Sequence, residues 1–293
     1  MLKGLHLFSG GLDSILSYKI LQESNFRADA VFFETPFFSS EKPIEYGKKN
    51  NINVRIINIF PEYISVLKSP KYGYGKNLNP CIDCKALMIN KACEIAKREG
   101  YDFVSTGEVL GQRPMSQTKG GLVKQEKLLL NKDMVFRVLS YDSNPHNERM
   151  KSIKRVNITG RERTIQIKMA EERNINEYQT PSGGCLLTYK EYSYKAKTLL
   201  MKNLIEERYF YMIKSGRFLE FEKGAAVIGR DEKDNEKLLS LRKNEKGFQI
   251  QTGKGPVALI IGDISEEEIF SFKESLLNYS KNSKNEKDYI CSI

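Results

Sequence analysis

The stretch from Leu2 to Leu21 constrains this chain more than any other. Leu2-Lys3-Gly4-Leu5-His6-Leu7-Phe8 is short, apolar and bounded by glycines, the pattern of a buried strand. Ile15 to Leu21 carries apolar residues at helical spacing. Between them lies Ser9-Gly10-Gly11-Leu12-Asp13-Ser14. A strand, a glycine-rich turn and a helix start in succession aim free backbone N–H groups and the positive end of a helix dipole at one spot, which suits an anion. Gly10 and Gly11 allow a tight turn and close approach of a phosphate. Ser9 and Ser14 add hydroxyl donors. Asp13 has the wrong charge for a bare phosphate site, so its expected role is to bind Mg²⁺ or to face the reaction centre.

Strands expected over residues 28–35, 53–59, 101–106 and 134–139, with helices between them, imply parallel pairing in an α/β fold. Ligands of such a sheet bind beyond the carboxyl ends of its strands. The Ser9–Ser14 turn leaves such an end. So does Phe33-Glu34-Thr35, where Phe33 is a candidate neighbour of an adenine ring; ordinary core packing is the competing reading.

The turn matches neither Gly-x-x-x-x-Gly-Lys-Ser/Thr nor Gly-x-Gly-x-x-Gly. Ser9-Gly10-Gly11-Leu12-Asp13-Ser14 instead resembles the pyrophosphate loop (PP-loop) of the N-type ATP pyrophosphatases. That resemblance implies a parallel-sheet, adenine-nucleotide alpha-hydrolase-like (Rossmann-like) domain that splits ATP between its α and β phosphates and adenylates a substrate oxygen. Ser9, Gly10, Gly11 and Ser14 would then hold the pyrophosphate.

Asn79-Pro80-Cys81-Ile82-Asp83-Cys84 places two sulfurs where one metal or cluster can take both, before a helix expected over residues 86–98. The preceding residues 69–76 suit a mobile active-site loop, an RNA contact or a plain surface loop. The motif resembles the tRNA thiolation branch of the family. Gly107-Glu108-Val109-Leu110-Gly111-Gln112-Arg113-Pro114-Met115-Ser116-Gln117 follows the fourth strand and is similar to a segment of the 4-thiouridine synthases. Gly107, Arg113, Ser116 and Gln117 are its candidate ligand contacts, Arg113 as a phosphate partner. A basic, exposed start, Gly160-Arg161-Glu162-Arg163, precedes the next helix.

Gly183-Gly184-Cys185 puts a third sulfur on a tight turn. The resemblance implies that Cys81, Cys84 and Cys185 hold a 4Fe–4S cluster whose fourth iron is open to carry sulfide. Two rivals stay open: a zinc site with a fourth ligand elsewhere, and a cysteine pair carrying a persulfide. The chain holds five cysteines and two histidines, which argues against a disulfide framework and a His-rich zinc site. Cys93 is expected as a buried helix residue and His6 as a structural one.

Beyond residue 189 the pattern changes. Residues 208–213 and 216–221 suggest strands or short elements, and Gly229-Arg230…Asn235…Leu238 resembles the small RNA-binding domain of NFACT factors. Late strands are expected near residues 248–250 and 256–261, with a closing helix over 265–279 opened by the capping box Ser265-Glu266-Glu267-Glu268. Residues 1–188 are thus expected to form the catalytic domain, and residues 189–293 a linker helix and a small α+β RNA-binding domain.

The expected function is an ATP-dependent tRNA sulfurtransferase using ATP, Mg²⁺ and a 4Fe–4S cluster, making 4-thiouridine in preference to 2-thiouridine. Its partners would be tRNA and a sulfur donor, either free sulfide or a cysteine desulfurase, with a homodimer possible on family grounds. A formal net charge of +10 fits a polyanionic partner, though a lysine-rich solvated surface would give the same value. No apolar run is long enough for a transmembrane helix and no leader precedes the first strand, so the expected location is the cytoplasm. The 4-thiouridine synthases usually carry an N-terminal THUMP domain; with the pyrophosphate loop starting at residue 9, RNA binding is expected to fall to the C-terminal module. A PP-loop enzyme acting on a small molecule, or an RNA-binding protein with a degenerate ATP site, are the alternatives.

Overall fold

The computed structural model describes residues 1–144, 150, 152–180, 184–250, 255–278 and 290–292. They divide into two compact units, Met1–Cys185 and Leu186–Ile293.

The first unit is built on a five-stranded, all-parallel sheet ordered β3-β2-β1-β4-β5: β1 (Lys3–Leu7), β2 (Arg27–Glu34), β3 (Val54–Asn58), β4 (Phe103–Thr106) and β5 (Val135–Arg137). Parallel sheets bury both faces under crossover helices, which explains why β1 reads as a continuous apolar run rather than an alternating one. The helices of this unit are α1 (Leu12–Glu23), α2 (Glu41–Lys49), α3 (Phe60–Lys68), α4 (Cys81–Glu99), α5 (Lys119–Glu126) and α6 (Thr164–Glu171). The chain runs from β1 through β2 to β3 on one side, then returns to lay β4 on the other side of β1. The carboxyl ends of β1 and β4 therefore border the switch point, where such a sheet opens a crevice.

The core under α1 joins Leu12, Ile15, Leu16, Ile20 and Leu21 to Phe26, Phe103 and Phe136. His6 lies within this layer, fully buried. Its Nε2–H donates to the Ser14 carbonyl oxygen at 2.9 Å, so the neutral ring accepts at Nδ1 from the Ser105 hydroxyl, also at 2.9 Å. Burial lowers its pKa from 6.5 to about 4. One imidazole thus ties β1 and β4 to the first turn of α1.

The second unit carries α7 (Lys190–Met201) and α8 (Glu207–Met212), then an antiparallel sheet ordered β10-β8-β9-β7-β6. Its strands are β6 (Arg217–Glu220), β7 (Gly224–Ile228), β8 (Gly247–Ile250), β9 (Val257–Gly262) and β10 (Ile290–Ser292), with α9 (Glu232–Leu241) and α10 (Glu266–Asn278). Ala226, Ile228, Phe248, Ala258, Ile260 and Phe272 form its core. Residues 208–213, expected as strands or short elements, are helical. Tyr209, Phe210 and Met212 are buried there, and aromatic content favours a strand only where a sheet edge is available to pair with it. The capping box forms as read: Ser265 N–H donates to Glu268 Oε2 at 2.8 Å, and Glu268 N–H to Ser265 Oγ at 3.1 Å.

Candidate active site

Helix α1 has Gly11 as its N-cap and no side-chain cap, so its first N–H groups face the turn. Within the turn, Ser14 Oγ accepts from Ser9 N–H and Ser9 Oγ–H, both at 3.2 Å, and donates to the Gly11 carbonyl at 2.8 Å. Gly10 sits at φ +74°, the left-handed region that a Cβ disfavours, with the backbone of Lys42 and Pro43 close by. Its carbonyl accepts from Gln179 N–H at 2.9 Å, which anchors to this turn the segment that leads on to Cys185.

The loop after β4 closes over the turn. A Cβ at Gly107 would stand 2.7 Å from the Asp13 carbonyl oxygen, so only glycine lets this loop pack on the start of α1. Gln112 Nε2–H donates to Asp13 Oδ2 at 2.6 Å. Arg163 approaches the same oxygen at 3.4 Å, and Gln166 Nε2–H donates to Gln112 Oε1 at 3.1 Å. Among the described residues, Asp13 Oδ1, Gln117 Oε1, Gln166 Oε1 and Arg163 Nε are buried without a hydrogen-bond partner. Unpaired buried polar atoms are rare, and those of Asp13, Gln166 and Arg163 gather beside a helix N-terminus, an arrangement suited to a charged ligand. The free carboxylate oxygen of Asp13 fits an Mg²⁺ ligand.

The other candidates fall in different surroundings. Ser116 and Gln117 are buried in this loop, whereas Arg113 is exposed at its tip. Phe33 is 2% exposed, packed within the core, and presents no open ring face. Arg163, expected in a basic exposed segment, is turned inward toward Asp13; only Arg161 and Glu162 are exposed.

Helix α4 begins at Cys81, several residues before the expected start at residue 86, with Pro80 as its N-cap. Asp83 in the first turn suits the helix dipole, and Pro80 has no N–H to satisfy. Cys81 and Cys84 therefore lie three residues apart on one helical face. Asn79 Nδ2–H donates to Cys81 Sγ at 3.0 Å and lies 3.9 Å from Met115 Sδ of the loop after β4. Asp83 accepts from Lys71 N–H at 2.7 Å and Tyr72 N–H at 3.1 Å, which pins the start of the stretch over residues 69–76 to α4. Burial pushes the Cys84 thiol up to about 12. Tyr63, wholly buried in α3, has its hydroxyl pushed well up by that burial first and then by the Cys84, Cys185 and Cys81 sulfurs. Among the described residues no three Cys, His, Asp or Glu side chains close on one point as the ligands of a single ion do. Cysteine thiols are the donors that an iron–sulfur cluster takes, and Asn79 gives Cys81 an amide donor; the neighbouring carboxylate of Asp83 is spent on backbone N–H groups. Pro181, Ser182 and Gly183, which precede Gly184 and Cys185, lie outside the described residues, as do His146 and the polar tail over residues 280–288. Cys93 is buried in α4.

In the second unit Asn235 is structural: it accepts from Val257 N–H at 2.9 Å and donates to the Gly255 carbonyl at 3.4 Å, with Gly229 leaving it room. Arg230 pairs with Asp234 at 2.6 Å. Among the described residues no helix is long and apolar enough to cross a membrane.

Residues 2–139 match the family described as thiamine biosynthesis protein (ThiI), and residues 216–291 match the one described as NFACT protein RNA binding domain. A probable tRNA sulfurtransferase of Finegoldia magna is 30% identical over 129 residues, covering 41% of this chain and 32% of that protein. A putative tRNA-specific 2-thiouridylase of Plasmodium falciparum is 34% identical over 125 residues, 35% of this chain and 12% of that protein. A probable tRNA sulfurtransferase of Mycoplasmopsis synoviae is 27% identical over 153 residues, 48% of this chain and 38% of that protein. The chain thus spans well under half the length of the relatives it matches. Among solved structures, a predicted tRNA methyltransferase subunit of Methanocaldococcus jannaschii is 14% identical with a TM-score of 0.37, covering 59% of this chain and 76% of that one. An NH3-dependent NAD synthetase of Campylobacter jejuni is 13% identical with the same TM-score, 0.37, covering 72% of this chain and 82% of that one.

Proposed function

We propose that this chain, which joins a ThiI-type domain to an NFACT-type domain, is an ATP-dependent tRNA sulfurtransferase that replaces a uridine carbonyl oxygen with sulfur, the 4-oxygen in preference to the 2-oxygen. The observation that carries the reading is the loop after β4. Gln112 of this loop holds Asp13 beside the pyrophosphate-type turn, while Met115 touches the Asn79 amide that holds Cys81. One short segment spans the anion site and the sulfur site, as a reaction that activates an oxygen and then displaces it with sulfur requires. Relatives named as tRNA sulfurtransferases, the NFACT-type match and the basic charge support an RNA substrate.

Residues 1–188 would carry the chemistry and residues 189–293 would bind RNA. Uncapped N–H groups of α1, with Ser9 and Ser14, would hold the phosphates of ATP while Asp13 Oδ1 takes Mg²⁺. Gly107 would let the backbone close on the nucleotide. The uridine oxygen attacks the α-phosphorus and pyrophosphate leaves; hydrosulfide then attacks the carbon, and AMP departs with the oxygen. Arg163, already paired to Asp13, would meet the charge that develops on the α-phosphate. Cys81, Cys84 and Cys185 would hold a 4Fe–4S cluster, which when bound supplies sulfide at an open iron. Asn79 and Tyr63 would orient the Cys81 and Cys84 sulfurs through hydrogen bonds.

The test is nucleoside mass spectrometry of unmodified tRNA after anaerobic incubation with Mg·ATP, sulfide and iron-reconstituted protein, beside Asp13→Ala and Cys185→Ala. A thionucleoside from the unaltered protein alone is the expected outcome, and its fragmentation identifies the carbon. Full product from Cys185→Ala would remove the cluster. AMP without thionucleoside in every sample would point to a small-molecule substrate.

A further inference from the structure

Helix α6 turns the wrong residues inward. Ile165 is 57% exposed and Ile167 40% exposed, while Gln166 between them is fully buried on the face it shares with Ala170. A glutamine preferred to two isoleucines at a packed position needs a polar reason. Gln166 Nε2–H donates to Gln112 Oε1 at 3.1 Å, and Gln112 Nε2–H donates to Asp13 Oδ2 at 2.6 Å. The polarity of this relay is dictated by its end. A carboxylate only accepts, so Gln112 must face it with its amide nitrogen, and the Gln112 oxygen then needs a donor, which Gln166 supplies. The relay holds one oxygen of Asp13 and leaves Oδ1, buried and unpaired, as the only other acceptor on that carboxylate.

We propose that Gln166 is a positioning residue that acts through Gln112 to fix the Asp13 carboxylate, so that Oδ1 meets the metal ion of a metal–nucleotide complex. The inference rests on the ATP reading above. Gln166 makes no contact with the ligand in this scheme; it sets the rotamer of a group that does. Removal of such an outer partner weakens metal affinity about 10- to 100-fold.

The experiment is a double-mutant cycle on the full chain, with Mn²⁺ and ATP as probes and free Mn²⁺ followed by electron paramagnetic resonance. The proteins are the unaltered chain, Gln166→Leu, Asp13→Asn and the double variant, each checked for folding by thermal denaturation. Gln166→Leu is expected to weaken Mn²⁺ binding in the presence of ATP about tenfold, with binding of ATP alone unchanged. The double variant is expected to bind no more weakly than Asp13→Asn, since a residue acting only through Asp13 has nothing left to position. Gln166→Glu offers the same shape with a second negative charge and should not restore binding. Additive losses, or Gln166→Leu binding like the unaltered chain, would overturn the inference. Failure of the unaltered chain to bind Mn²⁺ and ATP together would instead overturn the ATP reading, and would be visible before any variant is compared.

Discussion

The loop after β4 contributes one residue to each of two buried polar clusters, and the clusters end differently. Glu108 belongs to the first. Arg137, 2% exposed, donates to Glu126 and Gln125 at 3.0 Å each and turns its Nε toward Glu108 at 3.6 Å. Gln125 Nε2–H donates to Glu108 at 3.2 Å, and the Arg137 backbone N–H to Asn144 at 2.7 Å. Each charge meets its opposite here, and Arg137 Nε, 3.6 Å from Glu108, is the atom of this network left without a hydrogen bond among the described residues. Gln112 belongs to the second, where Asp13, Gln166 and Arg163 each keep an atom without a partner. Burial of charge is common to both, so burial alone does not mark a site. The first network, with its charges paired, holds β5 and the loop in register; the second leaves a carboxylate oxygen of Asp13 without a partner at the mouth of the sheet.

Substitutions that separate stability from activity test this contrast. Arg137→Met strands the Glu108 carboxylate in the interior and should cost about 3–5 kcal/mol of folding free energy. Urea unfolding reads it, and the fraction that folds should keep its AMP release per molecule. Asp13→Asn should do the reverse. Pyrophosphate release should fall about 100-fold or more, while the unfolding free energy stays within about 0.5 kcal/mol because one oxygen there already lacks a partner. A large stability loss in Asp13→Asn, or intact stability in Arg137→Met, would erase the distinction.

His6 gives a smaller effect with a defined pH window. The folded chain holds the ring neutral down to about pH 4, whereas the unfolded ring takes a proton below 6.5. Stability is therefore flat with respect to this group above pH 6.5 and declines as pH falls toward 4. The loss is on the order of 3 kcal/mol in all. His6→Gln should flatten that part of the curve in urea titrations between pH 4 and 7. An unchanged slope would mean that the ring is not the buried neutral donor of the Ser14 contact.

Much of the fold was legible because its signals are local. Apolar runs between helical stretches mark β1 to β5, and the pyrophosphate-type turn announces a helix start. Ser265 and Glu268 cap each other across three residues. Where the local signal was ambiguous the expectation slipped. Residues 208–212 take the short element rather than the strand that their aromatics equally suggest, because burial decides it, and α4 takes in Cys81 and Cys84 because Pro80 can end a loop without needing a partner for an N–H.

The sequence by itself therefore determined the α/β alternation, the glycine-rich turn that opens α1 and the presence of three cysteines near glycine or a helix start. The tertiary structure alone decided which groups meet. Gln112 and Asp13 are separated by 99 residues and Arg163 and Asp13 by 150, and both pairs close at one carboxylate. No periodicity encodes such a meeting. It follows from the order of strands, which returns β4 to the open side of β1 and folds α6 against α1. The inward turn of Gln166 and Arg163 is decided there too, because a helix face becomes an inner face only once its neighbour is in place.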